Sequence, residues 1–183
     1  MGLFRTVMTI ATLYLSQDAA QGVAPHFPAV QGKNLNGRSY SLPVDFGGEL
    51  NVVLIAFKRE QQADVDTWTP MLRRLADTHH RLRVYELPTL PRMLKLVRGF
   101  IDGGMRGGIP DTSVRAATIT LYIDKTPFNQ ALNIYTEDQI HVMLVDRAGV
   151  IHWRWIGRFG DEAGAALDRA VNATMDSTVM HGR

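Results

Sequence analysis

The 183-residue sequence contains no cysteine. That absence removes disulfides, thiolate nucleophiles, thiol–disulfide exchange and every cysteine-ligated metal or cluster site at once. An excess of charge is missing too: 20 basic against 18 acidic residues leave +2, too little to draw the chain to a nucleic acid. The apolar run from Thr6 to Leu15 falls well short of the roughly 20 residues that a membrane-spanning helix needs. There is no internal repeat, low-complexity tract or second domain. What remains, 45% hydrophobic and 8% aromatic composition, supports one domain with a sizeable core.

The first residues read as a leader. Arg5 precedes the run Thr6 to Leu15, and Ser16, Gln17, Asp18, Ala19 and Ala20 follow, in the outline of an export signal. The expected division is a leader over residues 1–24, one domain over 25–176 and a flexible tail over 177–183. Such a leader implies an exported protein, periplasmic or membrane-associated. The competing reading of the same segment is a mitochondrial presequence.

Beyond the leader, the pattern alternates strands and helices. A turn at Asn36-Gly37 leads to a strand at Ser39 to Leu42, making a hairpin. Asn51 to Phe57 is a continuous apolar run of a length and branching that suit a buried central strand. Val65, Trp68, Met71, Leu72 and Leu75 then recur at helical spacing and read as core. A second strand, Leu82 to Leu87, is punctuated by Pro88 and Pro91, so strand, helix and strand form a parallel crossover. From Arg92 the spacing predicts a helix ending at Gly103-Gly104. Its apolar side (Met93, Leu96, Val97, Phe100, Ile101) is expected to pack on the sheet, and its basic side (Arg92, Lys95, Arg98) to face solvent. A strand over 117–123, a short helix over 127–132, a hairpin of His141 to Val145 with Val150 to Trp155, and a helix from Asp161 to Met175 complete an α/β chain.

Candidate chemistry is sparse, and no catalytic, cofactor-binding or metal-binding residue is expected. Lys58 and Arg59 stand at a helix start, where free backbone donors and the positive dipole end could hold a small anion. This supports one functional alternative, an anion-binding protein or enzyme. His141 and His152 would lie diagonally on one hairpin face, but two histidines fall short of the three or four ligands that zinc takes. The segment Gly103 to Gly108 lacks the lysine and hydroxyl of a phosphate loop.

The order hairpin, strand, helix, strand, helical insert, strand, hairpin, helix is similar to the peroxiredoxin branch of the thioredoxin-like fold. The resemblance implies a central mixed sheet flanked by helices, with an N-terminal hairpin and a helical insert. It places the degenerate redox motif at Gln62-Ala63-Asp64-Val65, with Gln62 and Val65 at the positions of the two cysteines. Asn133, Leu144-Val145-Asp146, Gly149, Ile151, Trp153 and Gly157, with Phe27 to Gly32 and Gly104-Met105-Arg106, resemble the mitochondrial assembly-factor family that chaperones the proton-channel sector of ATP synthase, or a bacterial relative of it. The resemblance implies a non-catalytic, chaperone-type platform for a protein partner, such as a membrane-complex subunit, with peripheral membrane contact and no nucleic acid. The basic insert carrying Arg92, Lys95, Arg98 and Arg106 is the expected partner surface.

Overall fold

A computed structural model describes residues 25–181, without the side chains of 178–181; the leader expected over residues 1–24 lies outside them. Asn36 and Gly37 turn the chain between β1 (Val30–Asn34) and β2 (Ser39–Leu42), with Gly37 at φ +94°, a value that favours glycine. The apolar run becomes β3 (Leu50–Ala56), and a single 3-10 turn at Arg59–Gln61 leads into α1 (Gln62–Thr78). Then follow β4 (Leu82–Pro91), α2 (Lys95–Gly108), α3 (Thr112–Ala117), β5 (Ile119–Ile123) and α4 (Lys125–Ala131). The chain closes with β6 (His141–Asp146), β7 (Ile151–Ile156) and α5 (Asp161–His181).

The strands form one mixed sheet in the order β2-β1-β5-β4-β3-β6-β7. β4 runs parallel to β3 and to β5, and the other neighbours pair antiparallel. β3 is buried along its whole length because core lies on both its faces. Val53, Ile55 and Phe57 pack with Phe27, Phe46 and Phe128 on one side. Val52 and Leu54 pack with Trp68, Leu72, Leu167 and Val171, from α1 and α5, on the other. Trp68 is fully buried, its indole Nε1 donating to the Gly157 carbonyl at 3.2 Å and its ring edge-on to Phe159.

Several boundaries differ from the sequence reading: α2 starts at Lys95 and not Arg92, α4 spans Lys125–Ala131 and not 127–132, and four further differences have local reasons. β4 continues through Pro88 to Pro91, since Pro88 is the last register partner of β3 and Pro91 the last of β5, so no interior ladder bond is lost. α2 does not end at Gly103-Gly104 but runs to Gly108, and stops where Ile109 turns extended ahead of Pro110. The strand expected from Ala117 starts at Ile119, because Asp111 caps the unforeseen α3, its Oδ1 accepting from the Ser113 N–H at 2.7 Å. α5 passes Met175 and reaches His181 as helix, through the stretch read as a flexible tail.

Candidate functional site

β3 carries Phe57 and Lys58 to the end of the sheet where α1 begins, and the segment before β6 lies against the same end. Gln61 fills the junction. Its side chain is only 4% exposed. Oε1 accepts from the Phe57 and Lys58 N–H groups at 2.7 and 3.2 Å, and Nε2 donates to the Glu137 carbonyl at 2.7 Å. Both ends of the amide are therefore satisfied in a position with almost no water.

Charged groups close the rim of this lock. Lys58 pairs with Asp138 at 2.7 Å, and Lys125 pairs with Glu137, which also accepts from Asn129 Nδ2 at 2.8 Å. The hydrogen bond from Lys58 and then the one from Thr136 hold the Asp138 carboxyl below its ordinary value. Burial pushes Glu137 up, but hydrogen bonds from Lys125 and Asn129 more than reverse this and leave it lowered. His141, at the start of β6, meets the Thr136 carbonyl through Nε2 at 3.0 Å, and burial lowers its pKa.

The two positions assigned to absent cysteines diverge. Gln62 is exposed on the first turn of α1, bonded to Asp66 Oδ1 at 3.1 Å, whereas Val65 is buried in the core cluster of α1 and α5. Neither is a nucleophile. Burial raises the nearby Glu86 carboxyl, against a hydrogen bond from Gln62 and with help from Asp66. An anion at Lys58 and Arg59 would have to displace Asp138 from Lys58, with Glu60 and Glu137 close by. Arg59 is exposed.

α2 departs from the expected orientation in part: Met93 and Ile101 stay half-buried and Arg92 and Lys95 exposed, but Arg98 turns inward and Leu96 and Phe100 outward. Its half-buried side is Arg98, Ile101, Asp102 and Met105, and it buries no residue fully. Leu96 and Phe100 are 88% and 85% exposed, with Leu94 at 78% beside them. The cause is β5 beneath, whose face toward α2 presents Thr120 and Tyr122, polar groups that select the polar side of the helix. The Tyr122 hydroxyl donates to Asp102 Oδ1 at 2.8 Å, the Arg98 guanidinium stacks 5.0 Å from the Tyr122 ring centre, and Arg106 Nε donates to the Leu35 carbonyl at 2.8 Å. Burial, then Asp102, pushes the Tyr122 hydroxyl pKa up. Arg92 and Lys95 remain exposed, so the four predicted basic residues split into two anchors and two outward charges.

Open clefts of about 360 Å³ lie at two places among the described residues. One lies between α2 and the strands, over Lys33, Ser39, Ser41, Thr120 and Tyr122; the other lies at the end of α4, beside His141 and Arg154. The diagonal histidine pair does not form. His141 stands opposite Ile156 at one end of the hairpin, while His152, at the other end, meets Asp146 at 2.8 Å. Among the described residues no group of three or more histidines and carboxylates is placed to hold a metal.

This geometry is a thioredoxin-like fold, with a glutamine lock where β3 leads into α1. No family model matches the sequence, and no curated protein matches it either. Solved structures share the fold. The thioredoxin domain of a thiol-disulfide oxidoreductase from Bacteroides vulgatus matches at TM-score 0.52 and 17% identity, over 80% of this chain and 96% of that one. A thiol:disulfide interchange protein from Bacteroides sp. matches at 0.52 and 17%, over 82% and 91%. The exposed lipoprotein thioredoxin of Streptococcus pneumoniae matches at 0.52 and 12%, over 79% and 99%. At such identities the likeness is one of fold alone. Among the described residues no helix is long and apolar enough to cross a membrane.

Proposed function

We propose that this protein is a non-enzymatic thioredoxin-like platform of the assembly-factor or chaperone type, which holds a subunit of a membrane protein complex through α2. The observation that carries the reading is the exposure of Leu94, Leu96 and Phe100 on a helix that buries none of its residues. Exposed large apolar side chains grouped on one element mark an interaction surface. Arg92 and Lys95 beside them give that surface a sign. The chain's lack of cysteine and the Gln61 lock support a binding role over the thiol chemistry named for two of the similar structures. The exposed lipoprotein among the similar structures, with the leader pattern, supports an exported and membrane-associated setting. ATP synthase as the client rests on the sequence resemblance alone.

The test is crosslinking of the tagged full-length protein in its native membranes, with mass spectrometry of what is captured, before and after charge reversal at Arg92 and Lys95. A discrete membrane-complex subunit that disappears on charge reversal is the expected result. Capture that is absent, or indifferent to the reversal, overturns the reading. Stabilisation of the purified protein by small anions, abolished by Lys58→Ala with Arg59→Ala, would replace it with the anion-binding alternative.

A further inference from the structure

We propose that α2 seats one apolar α-helix of the partner, which lies along the Leu96–Phe100 face and brings an acidic end to Arg92 and Lys95. The inference rests on the platform reading and specifies what the platform holds. Leu96 and Phe100 are one helical turn apart and share a stripe, both turned to water. Gly99, Gly103 and Gly107 continue the same side of the helix, and a Cβ built on any of them would meet nothing within 4 Å. Each glycine weakens a free helix relative to alanine. The outward side of α2 thus has poor helix propensity and no packing of its own, and a partner backbone can approach it closely.

Charge decides among occupants. Arg92 and Lys95 make no ion pair among the described residues. The N-cap Leu94 makes no side-chain cap bond, and no acidic residue stands in the first turn of α2. Two cations and the positive end of the helix dipole are therefore uncompensated at one place. A helix lying antiparallel on α2 presents its negative end and any C-terminal carboxylates there. A second copy of this chain would set Arg92 and Lys95 against themselves if parallel, and if antiparallel would bring no carboxylate from its last turn to them, since α2 ends Met105-Arg106-Gly107-Gly108. A bare lipid surface rewards buried apolar area, which the three glycines withhold.

The test uses the purified full chain and two synthetic leucine-alanine helices of about 20 residues in detergent micelles, one with a di-glutamate C-terminus and one with a di-lysine C-terminus. The acidic peptide is expected to bind at least about tenfold more tightly than the basic one. Gly103→Leu, Leu96→Ser and Phe100→Ser are each expected to weaken it by about tenfold or more, while hydrogen exchange shows that Gly103→Leu leaves α2 helical. Equal binding of both peptides, or binding indifferent to Gly103→Leu, overturns the proposal. So does tight binding to phosphatidylglycerol vesicles that Gly103→Leu does not change, or self-association that it abolishes. If neither peptide binds but crosslinking still captures a charge-dependent membrane subunit, this inference fails and the platform reading stands. If no such subunit is captured, the platform reading itself fails.

Discussion

The side-chain Nε2 of Gln61 donates to the backbone carbonyl of Glu137 at 2.7 Å, joining the start of α1 to the segment ahead of β6 across 76 residues of chain. In this chain the junction is bridged by an amide that is bonded at both ends.

Gln61→Ala would strand the buried Phe57 N–H and leave the half-buried Glu137 carbonyl without this partner. The expected loss is about 1–3 kcal/mol of stability, read by urea unfolding. Exchange of the amides around residues 136–140 should quicken by more than exchange in β3. An unchanged unfolding midpoint would show that the lock contributes nothing.

Glu86 gives a pH signature. Its folded pKa is raised above the ordinary 4.5, chiefly by burial, so the folded state holds the proton more tightly than the unfolded one. Stability is therefore lost as pH rises from the ordinary value through the raised one. Glu86→Gln should raise the melting temperature at neutral pH and leave it unaltered well below 4.5. Thermal melts across that range check it.

His141 works in the opposite direction. Burial depresses its folded pKa below the ordinary 6.5, so below that value the unfolded chain takes the proton more readily. Stability should fall as pH drops from 6.5 toward the depressed value, and His141→Gln should flatten that slope. A slope that survives the substitution would assign it to other groups.

Gly103→Ala and Gly107→Ala meet no neighbour within 4 Å. Each should stabilise α2 by roughly 0.5–1 kcal/mol, through lower backbone entropy in the unfolded chain. Native-state hydrogen exchange of the α2 amides measures this directly. A loss of protection would mean that the glycines pack inside the domain.

Much of the frame was legible in the residues. β3 follows from an uninterrupted branched run, and α1 from Val65, Trp68, Met71, Leu72 and Leu75, all of which are buried. The turn at Asn36-Gly37 and the β6–β7 hairpin also formed where turn chemistry places them. The role of Gln61 is not legible in the sequence, because nothing nearby marks a polar residue whose partner is a distant carbonyl. α3 is signalled only by Asp111, whose side chain accepts from the Ser113 and Val114 N–H groups, and the strand pattern that follows it is the stronger one.

The sequence by itself determined the absence of thiol chemistry, the order of strands and helices, and the amphipathic character of α2. Those are properties of composition and of local period. Tertiary structure alone decided which way α2 faces. A helical period defines a stripe but not what lies beneath it, and the half-covered face of β5 offers Thr120 and Tyr122, not an apolar bed. Asp102 and Arg98 are drawn to Tyr122, and Leu96 and Phe100 are left facing outward as a consequence.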